Sequence, residues 1–302
     1  MPVNEVAVEK GKLTAIAPWF GGKRTMAPLI VEQLGKHRSY YEPFCGSCAV
    51  LFAKSHASIE IVNDLHGDLV NLARTLASDD WRELYERVDR MLICQKWIDD
   101  LRERFSTDFD GTVNDVQRAA EYTALSWMTR NGVAGTARTN YQLCLRWTPN
   151  GGGPGIRWRS AVDSVPYWHD RLKGVVITRM DAFEIIPKID DAAGTALYVD
   201  PPYLRSTRGD GGGSVYQYDF DDAGGGLFGA ADDHSRLAEL LQRFTKARVV
   251  VSYYDHPRLT DLYPGWTKID CARQKNLHVQ NRRGQGSCEA PEVLLVNGET
   301  YS

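Results

Sequence analysis

Residues 196–203 read ALYVDPPY, an apolar strand that runs directly into a carboxylate, two prolines and an aromatic ring. Ligands of open α/β sheets bind at the carboxyl ends of the strands. Proline fixes its own φ and restricts the residue before it, so Asp200, Pro201 and Pro202 predict a rigid turn with outward carbonyls. A carboxylate and a carbonyl held in this way can accept both N–H bonds of an exocyclic amino group, while the Tyr203 ring can stack on a planar base. The alternative interpretation is a structural turn with a packed tyrosine.

Other apolar runs rich in β-branched residues predict further strands on both sides of this motif. Together with Ala196–Val199, the predicted strands are Tyr40–Glu42, Ile59–Val62, Val175–Thr178, Arg248–Ser252 and Val293–Val296. Between them, apolar residues recur every three or four positions, and this spacing predicts helices at Thr25–Leu34, Asp68–Leu76 and His234–Phe244. The alternation of strands and helices favours an α/β fold with helices on the faces of the sheet.

The alternation is interrupted between about residues 79 and 172. Trp81–Phe105 and Asp115–Met128 have helical spacing, and an irregular stretch with several arginines follows them. We therefore predict a sheet domain with a mainly helical insert; the sheet domain comprises residues 15–80 and 172–302, and the insert 81–171. Three glycine tracts predict flexible loops, because glycine favours neither helices nor strands: Gly151–Gly155, Gly209–Gly213 and Gly224–Gly229.

The composition is typical of a globular protein with a large core: of 302 residues, 43% are hydrophobic and 25% are charged. The chain contains no apolar run of about 18 residues, so no membrane span is predicted. Residues 1–13 lack the apolar segment of a secretory signal, and the six cysteines are scattered, which is typical of reduced thiols. We therefore expect a cytoplasmic protein without a membrane partner.

The formal net charge is −3, but the basic residues are segregated along the chain. Residues 127–175 carry seven basic residues and two acidic ones, and residues 10–40 carry six basic residues and one acidic one. Such segments can present one positive face to a polyanion. Ordinary solvated surface charge is the alternative interpretation.

Three weaker motifs point to a bound cofactor. Residues 41–50, YEPFCGSCAV, predict a strand end, a turn of small residues that a cofactor can approach closely, and a helix start. About 20 residues later Asp64 ends a strand, where its carboxylate can accept hydrogen bonds from a ribose diol; a helix N-cap is the alternative. Residues 18–24, PWFGGKR, suggest that Lys23 contacts an anion or carboxylate, although the spacing is not that of a Walker loop.

Two other kinds of site are disfavoured. Cys45 and Cys48 have the spacing of half a zinc site, but no second cysteine pair follows them. The chain also lacks the G-x-S-x-G elbow of many hydrolases. We therefore expect no metal site.

Taken in order, six segments resemble the Dam-type, α-group adenine-N6 DNA methyltransferases, in particular phage- or prophage-borne members: PWFGGK, YYEPFCGSCAVLFAK, EIVNDLHGDLVNLARTL, DPPY, VVVSYYD and EVLLVN. The resemblance covers residues 15–298. It implies a Rossmann-like sheet that binds S-adenosyl-L-methionine, and transfer of the cofactor's methyl group to the N6 amino group of adenine in duplex DNA after base flipping. It also implies that residues 81–171 form a target-recognition domain that binds DNA.

The resemblance assigns roles to individual residues. The implied catalytic residues are Asp200, Pro201, Pro202 and Tyr203. The implied cofactor-binding residues are Trp19, Gly21, Gly22, Lys23, Glu42, Pro43, Phe44, Gly46, Asp64, Asp181, Ala182, Phe183 and Asp200. Cys48 stands where Dam enzymes often have glycine.

The resemblance also implies two sets of DNA contacts. Base edges would be read by Arg130, Asn131, Arg138 and Asn140, because arginine and asparagine suit guanine and adenine edges. Phosphates would be bound by Arg157, Arg159, Arg205 and Arg208, and residues 209–229 would form a lid or a DNA-contacting loop. The alternative interpretation of Arg157 and Arg159 is that they are ordinary surface arginines. Departures from the GATC-reading pattern at Val133, Ala134, Thr136 and Thr139 mean that GATC is not implied as the recognition sequence.

Two alternatives remain open from the sequence. One is methylation of an exocyclic amine on RNA, which also uses an Asp-Pro-Pro-aromatic motif; the other is a catalytically silent DNA-binding module of the same fold. The arginine-bearing insert and the N-terminal Gly-Gly-Lys favour DNA. The partners expected are double-stranded DNA and a cognate restriction endonuclease.

Overall fold

A computed structural model describes residues 13–19, 21–105, 109, 113–129, 142–145, 153–204, 207, 218–221, 232–271 and 292–301. Its strands are β1 (Ser39–Glu42), β2 (Ile59–Asn63), β3 (Val176–Thr178), β4 (Thr195–Val199), β5 (Arg248–Tyr254), β6 (Thr267–Asp270) and β7 (Glu292–Val296). Its helices are α1 (Ala27–Leu34), α2 (Ala49–Ala53), α3 (Gly67–Ala77), α4 (Trp81–Arg90), α5 (Gln95–Arg104), α6 (Val116–Met128), α7 (Pro154–Leu172), α8 (Ala182–Ile185), α9 (Asp233–Gln242) and α10 (Arg258–Leu262), with a 3-10 turn at Ile186–Lys188.

The seven strands form one sheet in the order β3-β2-β1-β4-β5-β7-β6. The first five in this order are parallel, whereas β7 runs antiparallel to both β5 and β6. The strand order reverses between β1 and β4, and in open α/β sheets ligands bind beyond the carboxyl ends of the strands at such a point. The predicted α/β, Rossmann-like fold is confirmed.

Each of the six predicted strands is confirmed, and β6 is the strand that the sequence did not reveal. Its four residues, TKID, are mostly exposed and contain no apolar run. By contrast, all residues of β4 and β7 are buried, as expected for strands that have both faces covered.

The two faces of the sheet pack against separate apolar cores. On β4, Ala196 and Tyr198 point into a core with Ile30 of α1, while Leu197 and Val199 point into the other with Leu237 of α9. This division follows the two-residue period of a strand. The three helices predicted between the strands are confirmed as α1, α3 and α9, with shifted ends. Among the described residues, no helix is long and apolar enough to cross a membrane.

The segment between β2 and β3 differs from the prediction in two places. Trp81–Phe105 is two helices, α4 and α5, separated by extended residues 91–94. The stretch predicted to be irregular contains α7, a helix of 19 residues, and Gly153–Gly155 of the predicted flexible tract form its N-cap and first turn. Proline at the first helical position is favourable, and the buried side chains share one face: Trp158, Ala161, Val162, Val165, Trp168 and Leu172. Pro166 inside the helix concealed this pattern.

The helices of residues 81–171 pack on the same core as the sheet. Leu84 of α4 and Trp168 of α7 belong to the apolar cluster that contains Leu72 and Leu76 of α3. The domain limits at 81 and 171 stay a prediction.

A buried ionic cluster links α7 to β2. The Arg171 guanidinium donates to both carboxylate oxygens of Glu60, at 2.7 and 2.9 Å, and to the Leu51 carbonyl. Lys54 forms a second ion pair with Glu60 and lies over the Tyr40 ring. All three ionic side chains are at least 95% buried. A buried carboxylate held by two cations therefore joins α7 to β2, the strand that Asp64 follows.

Candidate active site

A cavity with a volume of about 390 Å³ lies at the carboxyl ends of β1, β2, β3 and β4. Every residue that the resemblance assigned to the cofactor lines it: Trp19, Gly21, Gly22, Lys23, Glu42, Pro43, Phe44, Gly46, Asp64, Asp181, Ala182, Phe183 and Asp200. Pro201 and Pro202 line it as well. Parallel strands bring these turns together, because their carboxyl ends meet at one edge of the sheet.

The turn after β1 has no room for a side chain at Gly46. Gly46 has φ +45°, and a Cβ placed there would lie 2.7 Å from Nε1 of Trp19. The Gly46 amide donates to Oδ2 of Asp64 at 2.9 Å. Cys48, which stands where Dam enzymes often have glycine, also has a left-handed backbone, with φ +61°. The glycine at 46 thus lets the Trp19 indole cover the turn.

Replacing Gly46 by alanine is expected to raise the Kd of the cofactor at least about tenfold and to destabilise the fold by about 1–3 kcal/mol. The left-handed backbone accounts for the loss of stability, and displacement of Trp19 from the cavity wall accounts for the loss of affinity. Gly174→Ala is the matched control, because Gly174 has φ +87° and a Cβ there would meet no described atom within 4 Å. Isothermal titration and thermal melting measure both effects. Equal cofactor affinity in the two variants would contradict the role of Trp19.

Asp64 joins the turns that follow β1 and β2. Its Oδ2 accepts from Gly46, and its Oδ1 accepts from the His66 amide at 2.9 Å. Burial raises the pKa of Asp64, and these amide hydrogen bonds oppose the shift. The N-cap of α3 is His66, whose ring accepts from the Leu69 amide. The alternative interpretation of Asp64 as the N-cap is therefore wrong.

Glu42 ends β1 and is a buried acid of the cavity wall. Burial raises its pKa to about 8, and a hydrogen bond donated by the Tyr40 hydroxyl at 2.8 Å opposes the shift. The folded protein therefore keeps a proton on Glu42 at pH values where the unfolded chain has released it.

This proton makes stability depend on pH. A carboxyl group whose pKa is raised by folding stabilises the fold most below its ordinary pKa, and the contribution is lost as pH rises through the folded value, here about 8. Each pKa unit corresponds to about 1.4 kcal/mol. Glu42→Gln is expected to flatten the fall in stability between about pH 5 and 8, whereas exposed Glu239→Gln leaves it unchanged. Urea denaturation at several pH values measures the slope, and parallel curves for wild type and Glu42→Gln would refute the assignment.

Asp200 follows β4 and contacts two side chains that are distant in sequence. Its Oδ2 lies 2.8 Å from Nζ of Lys23, and its Oδ1 accepts from the Ser252 hydroxyl of β5 at 2.7 Å. Lys23 also lies 3.2 Å from Oε1 of Glu292 at the start of β7. Burial raises the pKa of Asp200, while the charge of Lys23 lowers it. Lys23 therefore contacts the predicted catalytic carboxylate as well as lining the cofactor cavity.

Tyr203 lies beside the cavity rather than in its wall. Its side chain is buried, its hydroxyl donates to Glu292 at 2.7 Å, and its ring packs edge-on against Tyr254 at 4.5 Å between centroids. Stacking on a base, the role implied by the resemblance, therefore requires this ring to move from the position in the structure.

Among the residues of the site that the sequence did not single out, four contact predicted site residues. Ser252 and Glu292 belong to the segments VVVSYYD and EVLLVN, which carried the resemblance but no assigned role. Phe220 packs against Phe44 and Phe183 at 5.8 and 5.6 Å between centroids, and Arg236 lies over the Phe183 ring. None of the four has a local pattern that distinguishes it from a packed or surface residue.

Most of the predicted DNA contacts cannot be placed. Arg130, Asn131, Arg138, Asn140, Arg205 and Arg208 lie outside the described residues, as do most residues of the proposed loop 209–229. Nη1 of Arg157 lies 3.6 Å from Sγ of Cys144. Arg159 is half-exposed and forms ion pairs with Asp89 and Asp163, so two carboxylates already compete for this arginine.

A model of the D12 class N6 adenine-specific DNA methyltransferase family matches residues 19–279. The chain belongs to this family. The resemblance found in the ordered motifs is thereby confirmed, and with it the activity: the protein is an adenine-specific DNA methyltransferase that uses S-adenosyl-L-methionine.

Relatives of this D12-class methyltransferase match over nearly their whole length. Retron Ec67 DNA adenine methylase from Escherichia coli is 24% identical over 300 residues, covering 95% of this chain and 92% of the relative. The Type II methyltransferase M.MjaIII from Methanocaldococcus jannaschii is 27% identical over 302 residues, covering 92% and 97%. Among solved structures, the rRNA methyltransferase aviRa from Streptomyces viridochromogenes has 12% identity and a TM-score of 0.35, covering 90% of this chain and 82% of that chain.

The cavity of this D12-class methyltransferase fits its cofactor. The volume of about 390 Å³ lies within the roughly 300–1,000 Å³ of small-molecule sites. Aromatic faces at Phe44 and Phe183 suit a purine ring, and the Asp64 carboxylate suits a ribose diol. The glycine at 46 lets the Trp19 indole pack against the turn and form part of the cavity wall.

Proposed function

We propose that this methyltransferase acts on adenine at a specific sequence of duplex DNA, with Asp200 and the Pro201 carbonyl holding the target amino group. The observation that carries the proposal is the position of Asp200 and Pro201 in the wall of the same cavity as the cofactor-binding residues. Acceptor and donor of the methyl group can therefore meet in one enclosed space. The rigid Asp-Pro-Pro turn keeps the two oxygen acceptors in place without further ordering.

The residues of the cavity have different roles in binding the cofactor and in the transfer of the methyl group. Asp64 would hold the ribose of the cofactor and Phe183 would lie against its adenine ring, while Trp19 covers the turn at Gly46. When bound, S-adenosyl-L-methionine supplies the electrophilic methyl group, which the adenine nitrogen takes in line as the carbon–sulfur bond breaks. Asp200 would accept one hydrogen bond from the amine N–H, and its carboxylate would take up the proton that the nitrogen loses. Holding nitrogen and methyl group close and in line supplies much of the acceleration.

The amino group of a paired adenine is engaged inside the double helix, so the proposal includes extrusion of the target base into the cavity. Residues 81–171 are proposed as the target-recognition domain, with base contacts by Arg130, Asn131, Arg138 and Asn140. Arg157, Arg205 and Arg208 are proposed to contact phosphates. Arg159 would have to exchange its carboxylate partners for a phosphate.

Two further proposals concern the cellular setting. A cognate restriction endonuclease is proposed as a functional partner, supported by the name of the M. jannaschii relative, a Type II methyltransferase. A cytoplasmic location is proposed because the cysteines that the structure describes are all free, as expected for thiols in a reducing compartment.

The test is incubation of the protein with labelled S-adenosyl-L-methionine and unmethylated duplex DNA, followed by nucleoside mass spectrometry and modification-aware sequencing. N6-methyladenine at one sequence, absent with Asp200→Ala, is the expected result. Parallel reactions contain single-stranded DNA and RNA. Methylation of RNA alone would favour the RNA alternative, and cofactor binding without methylation of any substrate would overturn the proposed function.

A further inference from the structure

We propose that Glu292 is a positioning residue of the methyl-transfer site, acting through Lys23 and Tyr203. Its carboxylate accepts from the Tyr203 hydroxyl at 2.7 Å and lies 3.2 Å from the Lys23 ammonium. The inference rests on the proposed role of Asp200, because Lys23 is also the cation that contacts Asp200. Neither the motifs nor the relatives assign a role to this residue.

The sheet topology explains how Glu292 reaches the site. β7 is antiparallel to β5, and Glu292 is paired with Tyr254, the last residue of that strand. The first residue of β7 therefore lies at the edge of the sheet where the parallel strands end. Only 8% of Glu292 is exposed, so its carboxylate is held among protein groups rather than in water. A buried carboxylate is unfavourable unless its partners compensate it, and Lys23 and Tyr203 are such partners.

Because of Glu292, the ammonium of Lys23 contacts two carboxylates. Among the described residues, Nζ lies close to the Gly21 carbonyl at 2.7 Å, Oδ2 of Asp200 at 2.8 Å and Oε1 of Glu292 at 3.2 Å. Because the Lys23 ammonium also contacts Glu292, it stabilises the Asp200 carboxylate and still leaves Oδ2 able to accept a further hydrogen bond. The same glutamate fixes the Tyr203 hydroxyl, so that the last residue of the Asp-Pro-Pro-Tyr turn is held from outside the turn.

The negative charge of Glu292 also affects the pKa of Asp200. The titratable groups around Asp200 come from three strands, the loop before α1 and the turn after β4: Lys23, Glu42, Tyr198, Tyr203 and Glu292. Burial raises the pKa of Asp200, Lys23 lowers it, and Glu292 raises it. Asp200 must be ionised to accept the N–H of the amine. Removing the negative charge at 292 therefore lowers the pKa of Asp200 and extends activity to lower pH.

The test is Glu292→Gln, which keeps an oxygen acceptor for Tyr203 and removes the charge that Lys23 contacts. The single-turnover rate is expected to fall roughly 10- to 100-fold, with the Kd of the cofactor within about threefold of wild type and the acid limb of the rate profile at lower pH. Asp270→Asn is the matched control: it lies on neighbouring β6, is exposed, and is paired with Val293, the residue after Glu292. It should leave rate and acid limb unchanged.

A double-mutant cycle of Glu292→Ala, which removes the acceptor, with Tyr203→Phe checks that Glu292 acts through the tyrosine hydroxyl. Because the two residues share a contact, their effects on the rate should be less than additive. A wild-type rate and an unmoved acid limb in Glu292→Gln would overturn the inference while leaving the Asp200 proposal intact. A fall in rate accompanied by a loss of thermal stability, with the acid limb of the rate profile unmoved, would mean that Glu292 has only a structural role. That result would also overturn the inference. If Asp200→Ala keeps full activity, the proposed function fails, and this inference fails with it.

Discussion

Asp200→Asn is expected to lower the single-turnover rate of adenine methylation by at least about 100- to 1,000-fold while the cofactor still binds. The effect is of the size seen when one preorganised group that stabilises developing charge is removed. The asparagine amide keeps the size of the carboxylate. However, the amide carries no negative charge to pair with Lys23. Its N–H groups would also face two hydrogen-bond donors, Lys23 and Ser252. The amine of adenine would then lose its strongest acceptor.

The cofactor serves as the internal check for this variant. Asp64, Glu42 and the Gly46 turn remain in place, so the Kd of S-adenosyl-L-methionine should stay within about threefold of wild type. Stopped-flow or quench-flow reactions with saturating cofactor give the rate, and Asp270→Asn again provides a carboxylate-to-amide control away from the cavity. Retention of more than a tenth of the wild-type rate would exclude Asp200 as the group that holds the amine.

Glu60→Ala is expected to destabilise the fold by about 3–5 kcal/mol, the range for breaking a buried ion pair by removal of one partner. Arg171 and Lys54 would lose the carboxylate that compensates their charges, in a site where all three side chains are at least 95% buried. Burial on its own would raise the pKa of Glu60, but the hydrogen bonds and charges of Arg171 and Lys54 hold it below its usual range. The ionised form of Glu60 is therefore the one that the fold needs.

Urea denaturation at neutral pH measures this loss, and Glu83→Ala is the control. Glu83 pairs with Arg87 on the surface of α4, where the median ion pair contributes about 0–1 kcal/mol. A loss below about 1 kcal/mol in Glu60→Ala would mean that water or a side-chain movement compensates the two cations. In that case the cluster would not secure β2 as described.

The local sequence predicted those parts of the fold that have local signals. β4 and β5 are runs of buried β-branched and aromatic residues, and their strand propensity agrees with their burial. β6 escaped because its exposed residues carry no such run. α7 escaped because Pro166 and the glycines at its start are helix-disfavouring in general, whereas packing of Trp158 and Trp168 decides the matter here.

The sequence by itself determined the chemistry at the strand ends of this methyltransferase. Asp200 directly follows a predicted strand and Asp64 lies two residues after one, and parallel strands bring such residues to one edge. Only the tertiary structure decided that Lys23, Ser252 and Glu292 surround Asp200, and that Tyr203 is buried beside the cavity. The physical reason is that these contacts join segments far apart in the chain. The position of Glu292 depends on the antiparallel direction of β7, and no local sequence pattern indicates that direction.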